Sequence, residues 1–146
     1  MSTVKSMLAQ KSSTLVQVRS SDMVLEALEK MRDNRVRSVL VIDDDQLTGI
    51  ITQGDCAIKV LLPGLDAGKT IVSQAMTRLP MTVKPDDPIE ACMGLMVTRG
   101  FRHLPVLNEG KVVGVISIGD VVKDIIREMG HTINFLETYI TGHGAP

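Results

Sequence analysis

The stretch Gly49-Ile50-Ile51-Thr52-Gln53-Gly54-Asp55 returns 65 residues later as Gly114-Val115-Ile116-Ser117-Ile118-Gly119-Asp120. Both glycines, the central isoleucine and the final aspartate are unchanged, and a hydroxyl residue stands at the fourth place each time. The register runs outward without a gap. Met31, Arg37 and Val41 meet Met96, Arg102 and Val106, and Asp22 and Val18 meet Asp87 and Val83. Before that point the match loosens, through a small difference in length. A period of this size marks a chain made of two copies of one structural unit.

Each copy reads the same way physically. Val24, Ala27, Leu28 and Met31 recur at helical spacing, as do Ile89, Cys92, Met93 and Met96. Ser20 and Ser21 are placed to cap the first helix, Asp87 to cap the second, and Pro88 suits a first helical position. The runs Val39–Ile42 and Leu104–Leu107 read as strands. Asp43-Asp44-Asp45-Gln46 and Asn108-Glu109-Gly110-Lys111 read as hairpin turns into return strands at Leu47–Thr52 and Val112–Ser117. A second helix follows from about Asp55 and about Asp120, and short strands at Val16–Val18 and Met81–Val83 precede the first helices. The predicted fold is α/β (α+β): two β-α-β-β-α units. Each is too small to be comfortable alone, so they pack sheet to sheet about a pseudo-two-fold. The expected division is 1–62 for the first copy, 63–70 for a linker around Pro63–Gly68, 71–130 for the second copy and 131–146 for a C-terminal helix and tail. Gly130 is expected to end the last helix of the repeat. Ile133, Leu136 and Ile140 then give a short amphipathic helix, and the chain frays from Thr141 to Pro146.

Composition narrows the function. The 146 residues carry 16 Lys and Arg against 17 Asp and Glu, which offers no electrostatic reason to bind nucleic acid or an anionic membrane. Aromatic residues are 2%, too few for a stacking platform. The two cysteines, Cys56 and Cys92, form no Cys-x-x-Cys pair, so no metal site is expected. The first eleven residues hold no apolar run of signal-peptide length, and nothing approaches a membrane span. The expected location is the cytoplasm. There is no nucleophile elbow, Walker loop or Gly-x-Gly-x-x-Gly, so no catalytic residue is assigned and the chain is read as a non-enzyme.

The chemistry-bearing residues sit at the two strand-to-helix junctions. Thr52 and Asp55, and Ser117 and Asp120, are an ordinary helix-capping pair. They are also a pair suited to a sugar phosphate. The carboxylate accepts from a vicinal diol, and the hydroxyl and helix N–H groups face a phosphate. Gly54 and Gly119 clear side chains from the place where a ligand approaches the backbone. Arg37 and Arg102 precede the first hairpin strand of each copy, and a guanidinium fork suits phosphate. His103 stands beside Arg102 as a further donor.

The repeat order and the Gly-x-x-Thr/Ser-x-x-Asp signature, with Arg102-His103-Leu104-Pro105-Val106, resemble a tandem pair of cystathionine β-synthase (CBS) domains, the Bateman module. The Leu136–Ile140 ending is similar to small stand-alone pairs of bacteria and plant organelles. The resemblance implies a cleft with two pseudo-symmetric sites for AMP, ADP, ATP, S-adenosylmethionine or NAD(H). One site takes Thr52 and Asp55 for phosphate and ribose, with Ile50, Met81 and Phe101 around the base. The other takes Ser117 and Asp120, with Val115, Val16 and Val36 around the base, and is the better site. The first departs from the pattern, because Gln53, Gly54 and Ile58 stand where relatives carry Glu and Arg. The resemblance further implies a regulatory homodimer acting on an unidentified protein. The competing readings are a dimerisation module with non-functional pockets and, disfavoured by charge, a nucleic-acid binder.

Overall fold

The computed structural model describes residues 2–11, 15–78 and 80–141, with side chains as far as residue 130. The elements run α1 (Val4–Ala9), β1 (Gln17–Val18), α2 (Val24–Asn34), β2 (Ser38–Asp43), β3 (Gln46–Thr52), α3 (Gln53–Cys56), α4 (Val72–Ala75), β4 (Thr77–Arg78), α5 (Ile89–Arg99), β5 (His103–Asn108), β6 (Lys111–Ser117) and α6 (Ile118–Thr141). Helix α3 continues as a π-helical stretch, Ala57–Leu61. The hairpins fall where the turn residues predict. Asp44 and Asp45 take φ of 48° and 62°, and Glu109 and Gly110 take 52° and 80°, the paired positive values of a two-residue hairpin turn.

The first sheet has order β1-β2-β3-β4, and the second is the β5-β6 hairpin. The strand expected at Met81–Val83 is reduced to one parallel bridge, Val83 to Val106, the counterpart of the β1–β2 pairing. Strands β3 and β6 touch, so the sheets meet face to face as expected. The helices cover the outer faces over two cores. One holds Val24, Ala27, Met31, Val39, Val41 and Ile51, and the other holds Ile89, Cys92, Met96, Leu104, Val106 and Ile116.

These cores are not divided at the sequence boundary. Val4 and Met7 of α1 lie in the second core, while Val72 and Ala75 of α4 lie in the first. The two copies exchange their leading helices, and matching hydrogen bonds fix the exchange. Val4 N–H donates to Asp87 O at 2.9 Å, and Val72 N–H to Asp22 O at 2.7 Å. In return, Ile89 N–H donates to Ser2 O at 3.1 Å, and Val24 N–H to Thr70 O at 2.8 Å. A Cβ on Gly49 or Gly114 would lie 2.7 Å from a side-chain atom, Met76 Sδ and Leu8 Cδ2 respectively. Gly49 is demanded by this packing, since a Cβ there would also lie 2.8 Å from the Thr77 carbonyl oxygen, while at Gly114 only the Leu8 side chain would have to give way.

The exchange also corrects the expected caps. Met23 and Pro88, not Ser20, Ser21 or Asp87, precede α2 and α5, and neither makes a side-chain cap. The carbonyls of Thr70 and Ser2 satisfy the first helical N–H groups instead. The Asp22 and Asp87 carboxylates accept from Arg19 N–H and Lys84 N–H, each at 2.8 Å, and close the preceding turns.

Gly130 does not end the last helix of the repeat, because α6 runs through it to Thr141. A glycine inside a helix costs only about 1 kcal/mol, and Gly130 has no left-handed backbone to break the run. The side chains of Ile133, Leu136 and Ile140, and all of residues 142–146, lie outside the described residues.

Candidate functional site

Each strand-to-helix junction folds as a reciprocal capping box. Thr52 Oγ1 accepts from Asp55 N–H and Asp55 Oδ2 accepts from Thr52 N–H, both at 3.0 Å. Ser117 Oγ accepts from Asp120 N–H at 3.2 Å, and Asp120 Oδ2 accepts from Ser117 N–H at 2.9 Å. The capping reading is therefore correct, but capping does not exhaust these carboxylates. The two side chains remain 13% and 15% exposed, and each meets a cation from outside its box. Lys59 Nζ lies 3.1 Å from Asp55 Oδ1, and Lys11 Nζ lies 2.8 Å from Asp120 Oδ2. Thr77 Oγ1 also donates to Asp55 Oδ1 at 3.4 Å. Lys59, next to the Ile58 position, places a basic group at the first site.

The arginines stand at the same junctions. Arg37 O accepts from Gln53 N–H at 3.0 Å and Arg102 O accepts from Ile118 N–H at 2.9 Å, so each holds the first turn of its helix. Both side chains are exposed. His103 reports where they converge. Burial pushes its pKa below the ordinary 6.5; Asp120 pulls it up, while Lys11, Arg102 and Arg37 push it further down. A cation from each copy and one from the leading segment therefore act on one imidazole and disfavour its protonation. Burial raises the Asp120 pKa, but the Lys11 ammonium and the Ser117 N–H outweigh it and hold the carboxyl below its usual range.

The glycines fall into two kinds. Gly54 and Gly119 are exposed, and a Cβ on either would meet only the neighbouring hydroxyl oxygen at 3.6 Å, an ordinary contact. Packing does not require glycine there, in contrast to Gly49.

The residues assigned to the bases are distributed as follows. Ile50 pairs with Leu40, and Val115 pairs with Pro105. None of these four belongs to a helix-side core, and strand alternation directs them to the inner sheet faces. Met81 and Phe101 pack at the margin of the second core. Val36 is half-buried where its N–H donates to Met31 O at 3.0 Å. Val16 lines a cavity of about 220 Å³ with Leu15, Gln17, Lys30 and Asn34. Asp120 lines a different cleft of about 270 Å³, between α1 and α6, with Met7, Gln10, Lys11, Lys123, Asp124 and Arg127. The structure thus brings Val115, Ser117, Gly119, Asp120, Arg102 and His103 to one junction.

Sequence reasoning missed Lys11, Thr77, Lys59, Lys123 and Arg127. Lys59 and Lys123 carried a signal, standing one turn after their aspartates on the same helices. Lys11 carried none, because only the exchange of α1 brings it to Asp120. Cys56 and Cys92 are buried, and desolvation pushes both thiols up to about 11. They act as core residues.

A sequence model of the CBS domain matches residues 8–61 and again 72–127. The CBS domain-containing protein CBSX3, mitochondrial, of Arabidopsis thaliana is 31% identical over 128 residues, which are 84% of this chain and 62% of that protein. The chain therefore spans less than two thirds of that relative. Among solved structures, the CBS domain NE2398 superposes with a TM-score of 0.82 at 40% identity, over 86% of this chain and 98% of that one. The CBS domain pair of protein MJ0100, in complex with 5′-methylthioadenosine and S-adenosyl-L-methionine, shares the fold with a TM-score of 0.76 at 22% identity, over 87% and 98% of the two chains.

Proposed function

The chain belongs to the CBS-domain family, as two copies in tandem, and on that premise we propose that it is a regulatory module that binds an adenosine nucleotide and is not itself an enzyme. AMP is assigned first, with ADP, ATP or NAD(H) as alternatives. The observation that carries this reading is one arrangement built twice. A hydroxyl and a partly exposed carboxylate share the first turn of a helix, with an exposed arginine at the same junction. The carboxylate suits a ribose diol, and the helix start and the arginine suit a 5′-phosphate. The adenosine compounds held by the MJ0100 pair agree with it. Cytoplasmic location belongs to the same proposal; among the described residues no helix is long and apolar enough to cross a membrane.

Arg102 separates phosphate recognition from base recognition. Arg102→Ala should weaken AMP and ATP by about tenfold or more in a calorimetric titration, since hydrogen bonds to charged groups are worth ~1.5–3 kcal/mol. Adenosine affinity should hardly change. Equal loss for all three would reduce Arg102 to a structural role.

A second part of the proposal is that the module acts as a homodimer on a protein partner. Helix α6 leaves Ile118, Val122, Ile126 and Met129 exposed at helical spacing, and α5 leaves Val97 75% exposed. The same observation favours the competing reading of an interaction module with non-functional pockets. Light scattering at tens of micromolar should give the mass of two chains, and a monomer there would remove this part.

A further inference from the structure

Lys11 lies just past the end of α1, where its N–H donates to Leu8 O at 3.1 Å. Its ammonium reaches into the second copy and donates twice, to Val115 O at 2.9 Å and to Asp120 Oδ2 at 2.8 Å. Under the reading above, Val115 belongs to the base and Asp120 to the ribose. The side chain therefore holds two acceptors of the Ser117/Asp120 site at once. Oδ2 is also the oxygen that the capping box uses, through Ser117 N–H at 2.9 Å. A diol that takes both carboxylate oxygens competes with Lys11 directly.

We propose that Lys11 is a specificity-determining residue of this site: an occupant supplied by the chain itself, which phosphate-bearing ligands release more readily than neutral nucleosides do. The inference rests on the nucleotide-binding reading and deepens it. Moving an ammonium off a half-buried carboxylate leaves a cation without its anion. A nucleotide brings a replacement, because its 5′-phosphate is attached to the same ribose that displaces the lysine. Lysine suits the transfer, as a point charge on a flexible four-carbon stem that can pivot from one oxyanion to another. Adenosine offers the diol but no anion, so it must break the ion pair without restoring one. Discrimination then comes from a penalty against the wrong ligand as much as from attraction to the right one. The cleft beside Lys11 also holds Lys123, and Arg127 lies 4.0 Å from the buried Asp124 carboxylate.

The test is a calorimetric titration of adenosine, AMP and ATP against the wild type, Lys11→Met and Lys11→Arg. Lys11→Met should bind adenosine about tenfold more tightly than the wild type, and AMP and ATP no more tightly, so the preference for nucleotide over nucleoside falls by about tenfold or more. Lys11→Arg, which keeps the charge, should keep the preference. If Lys11→Met shifts all three ligands by one factor, or shifts none, the role of Lys11 is overturned while nucleotide binding stands. If neither the wild type nor the variants bind any of the three, the nucleotide reading fails and this inference with it.

Discussion

Met7→Ala is expected to destabilise the protein by about 2–5 kcal/mol, the usual cost of emptying a buried methionine site, although Met7 stands next to the start of the sequence. Its side chain is 4% exposed and lies in the second core with Ile89, Leu104 and Ile116. For a chain of this length the melting temperature should fall by about 2–4 °C per kcal/mol. Lys5→Ala on the exposed side of the same helix should change stability by no more than about 0.5 kcal/mol. The location of the damage distinguishes exchanged helices from contiguous ones. Hydrogen exchange should speed up at Leu104, Val106 and Ile116 well before it does at Val39, Val41 and Ile51. Equal loss in both copies, or damage confined to the first, would contradict the exchange.

Asp120→Ala should weaken nucleotide binding by roughly 10- to 100-fold, because it removes the acceptor assigned to the ribose diol. Folding should survive. The capping box at Ser117 is worth about 1 kcal/mol, and the part-buried pair with Lys11 about as much again, a loss smaller than the total stability of an ordinary domain. Asp55→Ala should have the smaller effect, since Gln53, Gly54 and Ile58 depart from the family pattern around that carboxylate. A titration in which Asp55→Ala abolishes binding and Asp120→Ala leaves it intact would reverse the ranking of the two sites. If neither change alters clear binding, the ribose role of both aspartates is wrong.

The parts of the molecule that were legible in the sequence share one property: their determinants are close along the chain. The hairpins follow from adjacent turn residues, and the boxes at Thr52/Asp55 and Ser117/Asp120 follow from a three-residue spacing. The α1–α4 exchange was hidden because Val4 corresponds to Val72 with a different offset from the one that aligns Asp55 with Asp120. The slip of a few residues removed the repeat signal where it was needed. The caps of α2 and α5 were misread for the same reason. Their N–H groups go to carbonyls of the exchanged segments, which no local pattern of Ser or Asp encodes. Gly130 reads as a stop because glycine often ends helices, yet the good helix formers Arg127, Glu128 and Met129 lead into it and the helix absorbs the cost of one glycine. The site divides along the same line. Its carboxylates, hydroxyls and arginines were readable as a repeated motif, while Lys11 reaches Asp120 only through tertiary packing.

The central claim, that this CBS pair binds an adenosine nucleotide, is tested most directly by a thermal-shift panel of AMP, ADP, ATP and NADH, with inorganic phosphate as control. A ligand present at about 100 times its dissociation constant adds about 2.7 kcal/mol to stability, which is several degrees at this chain length. The account predicts such a shift with AMP or another member of the panel, saturating with concentration and absent with phosphate alone. No shift with any adenosine compound at millimolar concentration, from protein shown to be folded and free of bound ligand, would contradict it.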